Sequence, residues 1–388
     1  MNSTSGQGNT DNRAAASTRL ASLRRFLEAE PGNDRLRRDV VNTAVAAGEF
    51  EYLRTLAEGR LADSPGDAEA QFDRATALMG LRDFAGALEA LKPLDATIPG
   101  VRANTALCHF FLEQYAQALP YFKASYDAGD RGPQTLRYFL LSLHHAGELD
   151  SAPEIINANE SVFAANALLA GHASTVFQDL NDEGNAAKWA QVALARDPDN
   201  VDALVVSGTL RAAALDVNHA KAAFERALAL APQNGRAWLG LGSLALLTQD
   251  FERAGEQLDH AVEYMPTHVG SWHALAWNQY FMGKVDEAGK SFEHALVLNR
   301  NFSESHGGVA VIAATRGDRA AAERAIEVAE RLDPHCNTSK FARALLAGQA
   351  GGPEALQAAI AQGVDSLSGL NPRVAALLRR ANRQRKNN

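Results

Sequence analysis

Apolar residues recur at helical spacing along most of the chain, in paired segments separated by short polar breaks. The breaks are rich in glycine and acidic residues, and they include AGEF at 47–50, TQDF at 248–251 and MGKV at 282–285. Apolar positions i, i+3, i+4 and i+7 flank each break on both sides, which is the periodicity of an amphipathic helix. The pattern therefore predicts a series of helix–turn–helix repeats.

The helix pairs repeat with a period of 34 residues. Repeats begin at residues 34, 68, 99, 133, 167, 201, 235, 269 and 303, and only the spacing between 68 and 99 is shorter, at 31 residues. The twentieth residue of a repeat is small in every repeat but the first: Leu53, Ala87, Ala118, Ala152, Ala186, Ala220, Ala254, Ala288 and Ala322. The twenty-fourth residue lies one turn further along the same helix face. We therefore expect two helices that cross closely at the small residue and share a core.

This repeat resembles the tetratricopeptide repeat. The features that carry the resemblance are the 34-residue period, Trp-x-x-Leu-Gly at 238–242, the pair Ala254 and Ala261, and the closing Pro266. The resemblance covers residues 34–336, with a divergent repeat at 133 that has Asn159 and Ala164 where alanine and proline are expected. It implies an all-α fold, a right-handed α-solenoid superhelix of stacked helix–turn–helix repeats with capping helices and a concave groove.

The predicted domain organisation follows from this period. Residues 34–336 hold nine repeats, and residues 337–371 resemble a degenerate tenth repeat. Residues 1–13 are predicted to be disordered, and residues 14–33 to form an N-terminal capping helix. Residues 372–388 are predicted to form a C-terminal capping helix and a basic tail. Terminal helices of this kind cover the apolar faces of end repeats.

Composition and charge indicate a folded protein of a reducing compartment. The chain has 388 residues, 46% hydrophobic and 22% charged, with a net charge of −8. Its two cysteines, Cys108 and Cys336, suggest no disulfide framework. The N-terminus lacks the apolar core of a secretory signal, and no run of about 18 apolar residues could span a bilayer. We expect a cytoplasmic protein, and its alanine- and arginine-rich, lysine-poor composition suggests a bacterial one.

The acidic net charge argues against nucleic acid as a partner of the body of the protein. The C-terminus is an exception, since six basic residues follow Asp365, the last acidic residue: Arg373, Arg379, Arg380, Arg383, Arg385 and Lys386. This run could contact nucleic acid, anionic lipid or an acidic protein. A solubilising cap with a frayed end is the alternative.

No catalytic motif is found that its context supports, and we expect no enzyme activity, cofactor or metal. The Gly-Lys-Ser at 289–291 lacks the earlier glycine of a phosphate loop and falls within a helix. His144 and His145, with Glu148 one turn later, could hold a metal, but adjacent residues of a helix diverge by about 100°. Cys108 is expected to pack as a small apolar residue. His260 and His294 occupy equal places in neighbouring repeats and are expected on a solvated convex face.

The family resemblance also implies which residues line the groove. In the family, the first helix of each repeat faces the groove with its second, fifth, ninth, twelfth and thirteenth residues. Applied to this sequence, the candidate binding residues are Arg38, Asn42, Phe72, Leu107, Phe111, Arg137, Leu141, His144, His145, His273, Trp277 and Phe281. Arg38 and Asn42 resemble half of a clamp for chaperone carboxylates. That clamp is incomplete, because Asp73 stands where an asparagine would be needed, and Gly100 and Asn104 where two basic residues would be.

These observations favour a non-enzymatic scaffold, adaptor or chaperone that holds a protein or peptide segment in its groove. Two alternatives remain open. One is a regulator that senses a ligand or peptide, with the divergent repeat at 133 and the short spacing before 99 as a soft joint. The other is an accessory subunit of an enzyme such as a glycosyltransferase.

Overall fold

The computed structural model describes residues 4–351, and the side chains of residues 12–348 within them. The chain divides into two compact parts, residues Met1–Phe163 and Ala164–Asn388, here called the N-terminal and C-terminal units. Residues 4–351 form helices joined by turns, without a β-strand. The predicted all-α architecture of helix–turn–helix repeats is confirmed.

The N-terminal unit contains a leading helix and the first four repeats. Its elements are α1 (Thr4–Ala29), α2 (Asp34–Ala47), α3 (Phe50–Asp63), α4 (Ala68–Gly80), α5 (Phe84–Leu91), α6 (Pro99–Phe111), α7 (Tyr115–Asp127), α8 (Pro133–Ala146), the 3₁₀ turn η1 (Leu149–Ser151), α9 (Ala152–Ala158) and α10 (Glu160–Ala165), which crosses the boundary of the unit. Each repeat begins at the first residue of a helix.

The C-terminal unit contains five repeats and a final helix. Its elements are α11 (Ala167–Asp179), α12 (Glu183–Arg196), α13 (Val201–Ala213), α14 (Val217–Leu230), α15 (Gly235–Leu247), α16 (Phe251–Tyr264), α17 (Val269–Phe281), α18 (Val285–Leu298), α19 (Ser303–Thr315), α20 (Arg319–Leu332) and α21 (Asn337–Gly351). Residues 352–371 of the predicted tenth repeat, and the predicted cap and tail at 372–388, lie outside the described residues.

Capping side chains set the starts of the first helices. In six repeats, the side chain just before the helix accepts a hydrogen bond from the backbone N–H three residues later: Asn33, Asp67, Asn166, Asn200, Asn234 and His268. An asparagine or aspartate here satisfies a backbone donor that has no partner within the helix. These caps mark where six of the nine repeats begin.

The turn between the two helices has the same backbone geometry in every repeat. The fifteenth residue has a positive φ in all nine, from 57° at Asn181 to 80° at Gly317. Glycine occupies this place in four repeats, and the other five use Arg82, Glu113, Asn181, Leu215 and Gln249. A left-handed conformation costs an L-residue about 1–2 kcal/mol, which glycine avoids. The turn is therefore kept even where the sequence offers no glycine.

The core of each repeat lies where the two helices cross. The side chain at the twentieth place is fully buried in all nine repeats, and the one at the twenty-fourth place is nearly so. Close approach is essential here: a Cβ added at Gly208 of α13 would lie 2.7 Å from the ring of Phe224 in α14. Small residues on both helices therefore allow the close crossing that the sequence pattern predicts.

The leading helix is longer than predicted. Helix α1 begins at Thr4, so residues 4–13, which the sequence suggests are disordered, are helical in the structure. The Arg13 side chain donates to the carbonyl oxygen of Ala47 at 2.8 Å, and Leu20 and Leu27 are buried. The Arg13 contact joins the helix to the end of α2 just ahead of the predicted start at residue 14.

The fourth repeat has a broken second helix, divided into η1, α9 and α10. The break lies at Asn159, one of the residues that mark this repeat as divergent. Its buried amide donates to the Ile155 carbonyl at 2.8 Å and to the Tyr126 hydroxyl at 3.0 Å. An asparagine that bonds nearby backbone competes with the helix ladder, which explains an interruption at this place.

Candidate binding surface

Ring stacking joins consecutive repeats at a fixed register. The seventeenth residue of one repeat contacts the thirteenth residue of the next. Phe84 and Phe111 have ring centroids 4.7 Å apart, Tyr115 and His145 4.5 Å, and both pairs are stacked. The C-terminal unit repeats the arrangement, with Phe251 and Phe281 at 5.6 Å. The thirteenth residue of a first helix is therefore covered on one side by its neighbour.

In the N-terminal unit these stacks merge into one continuous patch, here called the N-terminal aromatic surface. It consists of Phe84, Phe110, Phe111, Tyr115, Tyr138 and His145. Phe110 lies 4.8 Å from Tyr138 and 5.5 Å from Tyr115, and Phe111 lies 5.6 Å from Tyr138, all edge-on. The six rings come from α5, α6, α7 and α8, so three repeats build the patch together.

The N-terminal aromatic surface is accessible at its centre and edge. Phe111 is 41% exposed and His145 is exposed, whereas Phe84, Phe110, Tyr115 and Tyr138 are half-buried. The predicted groove residues Phe72, Leu107 and Leu141 are also half-buried, and Arg137 is exposed with its guanidinium 5.5 Å from the Tyr138 ring centroid. Most of the predicted groove residues of the N-terminal unit therefore lie on first helices with side chains that are half-buried or exposed.

The charge state of His145 follows from its surroundings. Burial against Tyr115 lowers the pKa of His145, and the neighbouring His144 lowers it further. The imidazole of His145 is therefore neutral at pH 7. Its ring lies 5.9 Å from that of His144. Within the described residues, no group of three or more histidine, cysteine or acidic side chains could hold a metal ion.

Arg38 and Asn42 lie on α2, apart from the aromatic rings. Both are exposed. Asp73 of the next repeat is buried, and its carboxylate lies 3.5 Å from the Arg60 guanidinium. Burial raises the pKa of Asp73 to about 6 despite the nearby Arg60. A buried acid at this place would repel an incoming carboxylate, which agrees with the incomplete clamp.

The C-terminal unit keeps an exposed ring at the thirteenth place but buries the ring at the ninth place. Phe281 is 39% exposed, but Trp277 is only 8% exposed and belongs to the core, so the prediction that Trp277 lines an open groove is wrong. Its ring packs against Phe292 of α18 and Phe341 of α21, at 5.5 and 5.9 Å. A large ring at the ninth place is covered because α21 supplies a further aromatic residue.

His273 lies within the same cluster. Its ring is 5.1 Å from Phe292 and 5.7 Å from Phe302. Burial lowers the pKa of His273, although Glu304 acts in the opposite direction. His273 is therefore a neutral packing residue of this unit rather than a groove-facing one.

Other predicted features have structural roles. The phosphate-loop-like segment lies inside α18, where Gly289 is buried and the Ser291 hydroxyl donates to Gln279 at 2.8 Å. Cys108 is buried, and burial raises the pKa of its thiol to about 12. His260 and His294 are exposed, but each also packs on a tryptophan of its own repeat, Trp238 at 4.6 Å and Trp272 at 4.1 Å.

Only Phe111 and His145 of the N-terminal aromatic surface are among the predicted binding residues. Phe110 is at the twelfth place, which the family pattern does assign to the groove, but sequence reasoning missed Phe84, Tyr115 and Tyr138. They occupy the seventeenth and sixth places, which the family pattern does not assign to the groove. A signal was present, because the seventeenth place is aromatic in four repeats: Phe50, Phe84, Tyr115 and Phe251. Three of these four rings contact the ring at the thirteenth place of the next repeat, whereas Phe50 lies against Gly80.

The comparisons with known proteins agree with this fold. Residues 211–276 match the family model of the tetratricopeptide repeat. The APC/C hetero-tetramer Cut9–Hcn1 is similar over 92% of this chain and 74% of that chain, at 15% identity and a TM-score of 0.57. YrrB, a TPR protein with an unusual peptide-binding site, matches 50% of this chain and 98% of its own, at 19% identity and a TM-score of 0.36.

A shorter match is MamA of Desulfovibrio magneticus RS-1, over 43% of this chain and 95% of that chain, at 16% identity and a TM-score of 0.36. None of the curated proteins matches the sequence. At identities this low, the likeness to Cut9–Hcn1 shows the fold alone. Within residues 4–351, no helix combines the length and the apolar character needed to cross a membrane.

The fold and its fixed register define a helical-repeat protein. Residues 211–276 match the family model of the tetratricopeptide repeat, and the same helix–turn–helix geometry recurs in all nine repeats between residues 34 and 336. The resemblance noted in the sequence is confirmed.

Proposed function

We propose that this protein is a non-enzymatic interaction scaffold, in the manner of an adaptor or chaperone, that binds a protein or peptide segment on the N-terminal aromatic surface. The proposal rests on one observation. The six rings of this surface are in continuous contact, and Phe111, which is one of them, is 41% exposed. Contiguous exposed apolar surface usually marks an interaction site. Aromatic side chains are also the most frequent energetic anchors of protein interfaces.

The geometry suits a segment that lies across several repeats. The rings come from three consecutive repeats, so a bound segment would make many modest contacts on a preformed surface. Preformed rings lose little side-chain freedom on binding, which lowers the entropic cost of association. Arg137 next to Tyr138 would add a charged contact at the edge.

The test is partner capture with matched surface variants of the full chain. Phe111→Asp places a charge at the centre of the N-terminal aromatic surface, and Phe281→Asp does so at the equivalent place of the C-terminal unit. The control is Phe26→Asp, because Phe26 is 62% exposed on α1 and lies outside both stacks. Thermal melts establish that all three variants fold.

We expect Phe111→Asp to lose a partner that the wild type and Phe26→Asp retain. Replacing Phe111 by a photo-crosslinking phenylalanine analogue should then label the same partner directly. If Phe111→Asp retains every partner, the N-terminal aromatic surface is not the binding site. Loss with Phe281→Asp alone would move the site to the C-terminal unit.

A further inference from the structure

A second concave site lies in the N-terminal unit, apart from the aromatic rings. It is a cleft of ≈ 670 Å³ between α7 on one side and η1 and α9 on the other, with α8 beneath. Ligand clefts commonly have volumes of about 300–1,000 Å³. None of the six residues of the N-terminal aromatic surface lines this cleft.

One wall of the cleft belongs to the broken second helix of the fourth repeat. In the C-terminal unit the second helices α12, α14, α16, α18 and α20 are each 14 residues long. In the fourth repeat the corresponding segment begins with a 3₁₀ turn of 3 residues and an α9 of only 7. The wall of the cleft opposite α7 is therefore built from two short segments rather than from one continuous helix.

The floor and the rim of the cleft differ in chemistry. The floor is apolar and consists of Leu119, Phe139, Leu143 and Ile155. The charged residues of the rim are Lys123, Asp127, Glu148 and Glu154. This combination accepts an apolar side chain that enters between charged edges.

The rim carries an uncompensated negative charge. Lys123 is paired with Asp127 at 2.7 Å, so these two charges offset each other. Glu148 and Glu154 are exposed, and neither has an ion-pair partner among the described side chains. Two free carboxylates beside an apolar floor favour a ligand with positive charges on either side of an apolar anchor.

We propose that this cleft binds a basic peptide segment of a partner protein, which inserts a bulky apolar side chain against Leu143 and Ile155. Lysine or arginine residues flanking the anchor pair with Glu148 and Glu154. The site is independent of the N-terminal aromatic surface, and it gives the scaffold a second contact of different specificity.

The probes are two fluorescein-labelled peptides with the same Leu-Phe centre, one flanked by two lysines on each side and the other by two glutamates. Binding to the full chain is followed by fluorescence anisotropy at low salt. The test variants are the double charge reversal Glu148→Lys, Glu154→Lys and the cleft-filling Ala116→Trp. The matched control is Glu256→Lys, Glu293→Lys, which reverses two exposed glutamates of second helices in the C-terminal unit.

We expect saturable binding of the basic peptide, weakened about tenfold by the Glu148 and Glu154 reversal and unchanged by the control reversal. Ala116→Trp should also weaken it, and the reversed cleft should now prefer the acidic peptide. Phe111→Asp should leave the affinity unchanged, which separates this site from the proposed aromatic one.

Three results would overturn the proposal. One is no saturable binding of the basic peptide up to about 1 mM. Another is equal binding of the two peptides by the wild type. The third is an affinity that the reversal of Glu148 and Glu154 does not change, and this result stands even if Ala116→Trp fails to fold.

Discussion

The two units differ in how they pack the ninth place of a first helix, although both expose the ring at the thirteenth place. In the N-terminal unit the ninth place holds Leu107 and Leu141, which are half-buried, and the rings around them stay accessible. In the C-terminal unit the ninth place holds Trp277, which is buried by Phe292 and Phe341. The ninth place is therefore half-buried beside accessible rings in the N-terminal unit, whereas Trp277 at this place is buried in the core of the C-terminal unit. Whether the side chain at the ninth place is buried depends on the helix that packs beside it.

The largest expected difference between the two units is in stability at the ninth place. Trp277→Ala should lower the free energy of unfolding by about 3–5 kcal/mol, because it removes a buried ring and leaves a cavity. Leu107→Ala, at the equivalent half-buried place, should cost only about 1–2 kcal/mol. Urea unfolding followed by circular dichroism measures both. Equal losses in the free energy of unfolding would show that the two places are packed alike, which would contradict the difference between the units.

The acid sensitivity of the two units should also differ. Burial lowers the pKa of both His273 and His145 in the folded protein. Because the unfolded chain then binds more protons, their stabilising contribution is present above about pH 6.5 and is lost as the pH falls through the folded pKa. His273 is enclosed by Phe292 and Phe302, whereas His145 is exposed, so protonation should cost more at His273.

Neutral substitutions isolate these two effects. His273→Gln should flatten the fall in melting temperature between pH 7 and pH 5 more than His145→Gln does. Titrations elsewhere in the chain are common to the wild type and both variants, so they cancel when the changes in melting temperature are compared. A steeper response to His145→Gln would mean that the C-terminal cluster is more open to solvent than the structure shows.

Much of the fold follows from sequence, because repetition exposes its rules. Ala254 and Ala288 mark the helix crossings, and Asn200 and Asn234 mark the helix starts, at the same places in successive repeats. The candidate site is less predictable, since the burial of Trp277 depends on Phe341, which lies 64 residues later in a helix outside the nine repeats. No local periodicity contains that information.

The broken helix shows the same limit. Asn159 indicates from sequence that the fourth repeat diverges, but not that its second helix is divided or that a cleft lies between this helix and α7. The division of this helix depends on how far the chain can remain helical once the side chain of Asn159 has bonded to Ile155 and Tyr126. Sequence locates such irregularities well, whereas their shape comes from packing.

The smallest expected difference concerns the stacked pairs themselves. Phe84 and Phe111 stack at 4.7 Å with an interplanar angle of 16°, whereas Phe251 and Phe281 are 5.6 Å apart and tilted by 32°. Aromatic pairs contribute about 0.5–1.5 kcal/mol beyond the area that they bury. Double-mutant cycles with leucine at each place should give a larger coupling energy for the first pair, near the upper end of that range.

Such a result would show that the N-terminal rings are held rigidly enough to act as preformed anchors while Phe111 stays exposed. A coupling energy near zero for Phe84 and Phe111 would mean that the ring of Phe111 is free to move. The N-terminal aromatic surface would then bind by rearrangement, and its affinity would carry the entropic cost of ordering the rings.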